Sequence, residues 1–197
     1  MSLKEYKGKR KFNKTPEPEG VIKDTGKNIF VVQKHQASSL HYDFRIEMNG
    51  VLKSWAVPKG PSTNPSQRRL AVETEDHPID YVDFEGIIPE GEYGAGVVIV
   101  WDFGTYDNKT RKEGKEISIK DAHENGHITL VLNGKRLKGE YALIKTKRDN
   151  QWLLIKKNDS EANRERDITE KYKISVLSNK TLDQIKNSKQ GDLTKFL

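Results

Sequence analysis

Four residues able to hold a divalent metal beside a phosphate fall within one short segment, Gln33 to Glu47 (QKHQASSLHYDFRIE): His35, His41, Asp43 and Arg45. From Leu40 onward the residue types alternate. Leu40, Tyr42, Phe44 and Ile46 are apolar, while His41, Asp43, Arg45 and Glu47 are polar. A period of two predicts a half-buried strand whose successive side chains leave opposite faces. His41, Asp43 and Arg45 then project from one face. An imidazole and a carboxylate can ligate a metal, and a guanidinium fork matches phosphate oxygens. The plainer alternative is the wet face of an amphipathic strand, which shows polar residues at every second position.

His35 tilts the balance toward chemistry. The chain has five histidines, and two of them lie in this window. His35 follows an apolar strand around Ile29 to Val32 and precedes a short connector, Gln36 to Leu40, which can fold it back toward His41. A further histidine sits in Asp76-His77-Pro78 at the end of another predicted strand. Pro78 biases His77 toward extended geometry, holding that imidazole at a loop mouth; a surface histidine with no role is the alternative. Glu90 to Gly96 (EGEYGAG) looks like a phosphate-cradling loop, yet no Gly-Lys-Ser/Thr follows and Val97–Val100 reads as a strand. Its glycines fit a tight turn or close backbone packing better.

Around these residues the chain reads as one mainly β domain. Apolar residues make up 34% and charged residues 32% of 197 positions, so the core must be small. Expected strands are Asn28–Lys34, Leu40–Met48, Val51–Val57, Arg69–Glu75, Val97–Asp102, Glu116–Ile119, His127–Leu132, Gly139–Thr146 and Gln151–Lys156. Asn49-Gly50 is a two-residue hairpin signal; Asn133-Gly134 sits between another pair, with Asn125-Gly126 just before it. Short strands at such spacing predict a sandwich or closed barrel. Residues 1–26 read as an extended basic arm, 27–157 as the core, and 158–197 as a polar tail with one helix at Thr181–Asn187. No apolar run is long enough for a membrane span, and the basic N-terminus lacks the apolar stretch of a secretory signal. Without cysteine there is no thiolate zinc site, disulfide or cysteine nucleophile. A cytoplasmic, monomeric protein is the simplest expectation. Charge is uneven: residues 1–69 carry +8, 70–107 carry −10 and 108–197 carry +8. Basic flanks suit a polyanionic partner, with the acidic middle keeping the footprint local.

Long blocks of the chain resemble the phosphoesterase domain of bacterial DNA ligase D and its stand-alone archaeal relatives. They are FVVQKHQASSLHYDFRIEMNGVLKSWAVPKGPS at 30–62, RLAVETEDHPIDYVDFEGIIPEGEYGAGVVIVWDFGTY at 69–106, KGEYALIKT at 138–146 and QWLLIKK at 151–157, with KRKFNKTPEPEG at 9–20 in the arm. The resemblance implies a compact closed β-barrel of about eight strands with short helical pieces. It implies a manganese-dependent enzyme of non-homologous end joining that removes a 3′-terminal ribonucleoside and hydrolyses a 3′-phosphate to a 3′-hydroxyl. The family's metal ligands fall on His35, His41 and Asp43, its phosphate-gripping pair on Arg45 and His77, and further site residues on Lys59, Tyr81, Gln33, Arg10 and Glu17. The family's arm usually carries an acidic residue after the arginine; here that position is Lys11, which bears on the ribonucleoside step. The tail at 173–187 resembles the segment that follows this domain in ligase D, and the chain ends at Leu197, so a separate DNA ligase is the expected partner.

Two imidazoles and one carboxylate leave open positions on an octahedral cation, and nitrogen and oxygen donors without sulfur suit Mn²⁺, with Zn²⁺, Co²⁺ or Cu²⁺ competing by affinity. Two rival readings stay open: a non-catalytic module that binds DNA ends, and a phosphatase of small nucleotides. For DNA holding, residues 135–157 are rich in Lys and Arg. Lys145, Lys147 and Arg148 are the candidate backbone contacts, and Trp152 and Tyr141 are either core or base-stacking residues.

Overall fold

The computed structural model describes residues 2–188; the expected C-terminal tail beyond Ser188 lies outside them. In chain order the elements are helix α1 (Leu3–Gly8), strands β1 (Ile29–Gln36), β2 (Leu40–Met48), β3 (Val51–Val57) and β4 (Arg68–Pro78), a 3-10 turn (Ile79–Tyr81), β5 (Gly86–Ile88), β6 (Gly96–Asn108), β7 (Arg111–Lys112), β8 (Lys115–Glu116), α2 (Ile119–Glu124), β9 (His127–Gly134), β10 (Lys138–Lys145), β11 (Gln151–Lys156), α3 (Ile168–Lys171) and α4 (Leu182–Lys186). The strands pair in the order β1-β2-β3-β4-β11-β10-β9-β6, and β6 returns to β1, closing an antiparallel eight-stranded barrel with β5 attached to β6. Closure pairs the edges that an open sheet would leave exposed. No helix among the described residues is long and apolar enough to cross a membrane.

Alternation builds the barrel interior. Phe30, Val32, Tyr42, Phe44, Ile46, Trp55, Val57, Trp101, Tyr141, Leu143 and Trp152 point inward and form one core cluster. Trp152 and Tyr141 are 0% and 1% exposed, so they pack and do not stack on bases. Asn49 and Gly50 both adopt left-handed φ, 53° and 77°, which makes the β2–β3 hairpin the primed two-residue turn their sequence predicted. The other two Asn-Gly pairs do different work. Asn125-Gly126 ends α2, with Asn125 as its C-cap, and Asn133-Gly134 lies inside β9. The β9–β10 turn is made by residues 135–137 instead, and the Asp102 carboxylate holds it by accepting the N–H groups of Arg136 and Leu137 at 3.0 and 2.8 Å.

Three expectations need correction. Glu116–Ile119 is not a strand beyond Glu116: the Ser118 hydroxyl accepts the Asp121 N–H at 3.0 Å and starts α2, an N-cap overriding a short alternating run. The arm is not simply extended, because residues 3–8 form α1 and its Tyr6 is fully buried. The half-buried strand expected at β2 is instead buried on both faces from Tyr42 onward, with Asp43, Arg45 and Glu47 7%, 3% and 4% exposed. A second apolar layer covers the outside of the barrel there, formed by Tyr6, Val31, Leu52, Ile79, Tyr81, Val82, Phe84, Val98 and Val100. The functional candidates are therefore sandwiched between barrel wall and arm.

Candidate metal and phosphate site

The β1–β2 register sets His35 opposite His41 and Gln33 opposite Asp43. His35 thus reaches its partner as a cross-strand neighbour, not by folding back along a connector, because β1 runs on to Gln36. The two imidazole rings lie 4.7 Å apart. Asp43 Oδ2 is 3.6 Å from His35 Nδ1 and 3.8 Å from His41 Nε2, and donor atoms of all three residues lie within 4.8 Å of one another. Two donors on one ion, each about 2.1 Å away, stand roughly 3.0–3.4 Å apart, so the cluster closes on a metal with small rotamer adjustments. Two details favour such a fit. His41 Nδ1 lies 3.0 Å from the Ser39 carbonyl; a carbonyl only accepts, so Nδ1 carries the proton and Nε2 keeps a bare lone pair. His35 Nε2 is buried without a hydrogen-bond partner. The glycine-rich loop forms the neighbouring wall: a Cβ on Gly96 would stand 2.2 Å from the Gln36 carbonyl oxygen, which is the close backbone packing its composition predicted.

Arg45 joins this cluster to a phosphate-type donor set. Its Nη2 lies 3.2 Å from Asp43 Oδ2. Its Nε donates to Gln33 Oε1 at 2.8 Å and its Nη1 to Ser54 Oγ at 2.7 Å, with His77 Nδ1 2.9 Å from Nη1. Gln33 is itself locked, because its amide donates to the Tyr81 and Phe84 carbonyls, both at 3.0 Å. Burial pushes the Asp43 carboxyl up, but Arg45, His35 and His41 more than offset it and hold the group well below the usual carboxylate range.

His77 is buried, 4% exposed, and not at a loop mouth. An irregularity in the β3–β4 pairing explains its aim. Ser54 pairs with Thr74, yet Leu52 pairs with His77, so β4 inserts an extra residue and turns His77 to the side where Ser54 and Arg45 lie. Bulges commonly re-aim side chains next to active sites. Burial, then the charges of Arg45 and Arg10, push the His77 pKa well down, so the ring is neutral at neutral pH. Arg45 faces its Nδ1 and Arg10 Nη2 lies 3.3 Å from its Nε2. The Glu75 carbonyl also lies 2.9 Å from Nδ1; a carbonyl only accepts, so Nδ1 carries the proton, Nε2 accepts from Arg10, and Arg45 Nη1 has Ser54 Oγ as its acceptor.

The arm supplies the roof. Arg10 donates from Nε to Glu17 at 2.8 Å and from Nη1 to Glu75 at 3.1 Å. Glu17 also accepts the Tyr81 hydroxyl at 3.0 Å, and Lys9 donates to Glu75 at 3.1 Å and to the exposed Tyr93 hydroxyl at 3.3 Å. Gln33, Arg10, Glu17 and Tyr81 are thus brought together with Arg45 and His77. Sequence reading missed Tyr6, Lys9, Ser54, Glu75 and Tyr93; only Glu75, two residues before His77 on the same strand, carried a usable signal. Lys59 and Lys11 are exposed, and neither makes a side-chain contact with the cluster. Lys145, Lys147 and Arg148 are exposed on the β10–β11 hairpin, whose Asn150 carbonyl accepts the Glu73 N–H at 2.7 Å; they lie apart from the cluster. Lys156 does not join that basic surface, being 1% exposed and paired with Asp159.

The family model for the DNA ligase D 3′-phosphoesterase domain matches residues 33–145, more than half of the 197-residue chain. The multifunctional non-homologous end joining protein LigD of Pseudomonas aeruginosa is 48% identical over 188 residues, covering 91% of this chain and 22% of that protein. The multifunctional non-homologous end joining DNA repair protein LigD of Mycobacterium tuberculosis is 49% identical over 153 residues, covering 77% of this chain and 19% of that protein. A LigD protein of Mycolicibacterium smegmatis is 45% identical over 168 residues, 84% of this chain and 22% of that one. The chain spans about a fifth of the length of these relatives. It belongs to the DNA ligase D 3′-phosphoesterase domain family.

Proposed function

We propose that the protein is a metal-dependent phosphoesterase that heals DNA 3′ ends before ligation in non-homologous end joining, converting 3′-phosphates to 3′-hydroxyls and removing a 3′-terminal ribonucleoside. One observation carries the reading: the Asp43 carboxylate is shared between the two imidazoles of a three-donor cluster and Arg45, which in turn contacts His77. Metal donors and phosphate donors therefore meet at a single carboxylate. His35, His41 and Asp43 would hold the ion, with Mn²⁺ the cation their donor set suits and Co²⁺, Cu²⁺ or Zn²⁺ its competitors. Such an ion supplies Lewis acidity toward a phosphoryl oxygen and an acidified water.

The chain's own residues do the rest. Arg45, fixed by Gln33 and Ser54, offsets negative charge that grows on the phosphoryl oxygens. A phosphate dianion between Arg45 and Arg10 would also offset the two charges that, after burial, lower the His77 pKa, raising its affinity for a proton where a leaving oxygen needs one. Arg10, Glu17 and Tyr81 form the roof that positions the terminal nucleoside, and Lys59, exposed on the turn after β3, would be a cation for the substrate strand. The partners are DNA 3′ ends and a DNA ligase that seals the healed end.

The test is a 5′-labelled primer–template ending in a 3′-phosphate or in one ribonucleotide, incubated with Mn²⁺ or with a chelator and resolved on a denaturing gel. Conversion to a 3′-hydroxyl end with Mn²⁺ alone is expected. DNA binding without turnover would instead make this an end-binding module, and equal turnover of a free nucleoside 3′-phosphate would make it a small-nucleotide phosphatase.

A further inference from the structure

Lys34 precedes His35 on β1, and its side chain leaves the opposite face, into the end of the barrel. It pairs across the strands with Tyr42, and its ammonium lies 5.8 Å from the Tyr42 ring centroid. Lys34 is 6% exposed, yet among the described residues it makes no hydrogen bond or ion pair. Its aliphatic stem is packed while its ammonium tip stays accessible at the barrel end, the arrangement of a snorkelling lysine.

A second unsatisfied cation lies close by. Arg136 is stacked between Trp101 and Tyr172, 5.2 and 4.7 Å from their ring centroids. Trp101 in turn meets Tyr42 edge-on at 5.4 Å. Arg136 Nη2 donates to the Ile174 carbonyl at 2.9 Å, whereas its Nη1 is buried with no partner. Lys173 belongs to the same group. Its chain neighbour Tyr172 is one of the two rings that stack on Arg136. The acidic neighbours are committed elsewhere. Glu170 pairs with Lys173 at 2.6 Å, and both oxygens of Asp102 accept the β9–β10 turn amides.

Resting on the phosphoesterase reading above, we propose that Lys34, Arg136 and Lys173 form a second anion site at the barrel mouth, which takes a backbone phosphate of the DNA strand upstream of the 3′ end being processed. Three cations, with the Lys34 ammonium unpartnered and Arg136 Nη1 buried without an acceptor, match the several oxygens of a phosphodiester, and Tyr42, Trp101 and Tyr172 give the site walls that hold the donors in place. The location fits a strand continuing from the reacting centre. Lys34 and Tyr42 flank the metal candidates His35, His41 and Asp43 in sequence, so the two sites are separated by the thickness of the β1–β2 wall at its end. The turn with exposed Lys59 adjoins this end of the barrel, since its neighbour Gly60 packs against Tyr42 and Thr169.

The test reads binding rather than turnover, so it stands whether or not the hydrolysis assay succeeds. Affinity for a primer–template with an unreactive 3′-hydroxyl is measured by fluorescence anisotropy across a salt series, without metal. Lys34→Met should reduce the slope of log affinity against log salt by about 0.7–0.9, one phosphate contact, while the melting temperature holds or rises. Glu170→Gln, an exposed change that frees Lys173, should bind DNA more tightly than wild type. Neutral methylphosphonate linkages placed one at a time upstream of the 3′ end should reveal a position that weakens wild type but leaves Lys34→Met unaffected. An unchanged slope in Lys34→Met, a destabilised or unfolded Lys34→Met together with no gain in Glu170→Gln, absence of such a linkage, or no DNA binding by wild type would each overturn the assignment. Saturation by inorganic phosphate with no change in any DNA slope would reduce the site to a free-phosphate site and overturn it equally.

Discussion

Replacing Arg10 with methionine should unfasten the arm from the barrel by a calculable amount. Arg10 and Glu17 have side chains 4% and 0% exposed, and Glu75 is 3% exposed. Arg10→Met keeps most of the side-chain volume but leaves two buried carboxylates facing each other without their shared cation. Removing one partner of a buried ion pair costs about 3–5 kcal/mol. For a domain of this size each kcal/mol moves the melting temperature by about 2–4 °C, so the expected drop at pH 7 is roughly 6–20 °C. The sign of the pH dependence follows from Glu75. Burial raises its pKa, but its own backbone N–H and the Lys9 and Arg10 contacts outweigh that and leave it lowered from 4.5. A depressed carboxyl contributes stability that is present above its unfolded pKa and lost as pH falls through the folded one. The gap between wild type and Arg10→Met should accordingly be widest at neutral pH and close as pH drops below about 4.5. Melting curves by circular dichroism at pH 7 and pH 4 check both parts, and Glu75→Gln added to Arg10→Met should recover part of the loss. A drop under 2 °C, or one equal at both pH values, would refute the view that the arm is an integral, charge-fastened wall of the site.

Arg45→Lys should retain Mn²⁺ binding, measured by calorimetry, yet lose about 10²–10³ in phosphate release, because an ammonium cannot meet Gln33, Ser54 and a phosphate oxygen together. Lys11→Asp places a carboxylate beside Arg10 and should raise ribonucleoside removal selectively over 3′-phosphate hydrolysis, compared on the two labelled primers; no change in either would remove the arm's charge from that step. A Lys145→Ala, Lys147→Ala, Arg148→Ala variant should flatten the salt dependence of DNA affinity by roughly one unit per lost contact, and an unchanged slope would show that this hairpin serves only solubility.

The barrel was legible because it is local. β2 shows its alternation in the sequence, β3, β10 and β11 read as short apolar runs bounded by turn residues, and Asn49-Gly50 fixes one register outright. The row His41, Asp43, Arg45 was legible for the same reason. Its burial was not, since the covering groups, Tyr6 and the segment from Ile79 to Phe84, come from far along the chain and carry no periodic mark. His77 escaped correct placement because one inserted residue in β4 breaks the period of two on which strand reading depends. The pairings of Arg10 with Glu17 and Glu75 likewise join residues whose spacing announces nothing; resemblance to the ligase D family, not pattern, pointed to Arg10 and Glu17, and Glu75 was marked only by its place two residues before His77 on one strand.

The central claim is that His35, His41 and Asp43 hold the ion on which phosphate release depends. It is tested most directly by titrating Mn²⁺ into wild type, His41→Ala and Asp43→Asn by calorimetry, and assaying the same samples for phosphate release from a 3′-phosphorylated primer–template. Wild type should bind the ion at this site and release phosphate only when it is bound; both variants should keep their circular dichroism spectra while losing binding and release together. Full Mn²⁺ binding and wild-type release in His41→Ala would contradict the account.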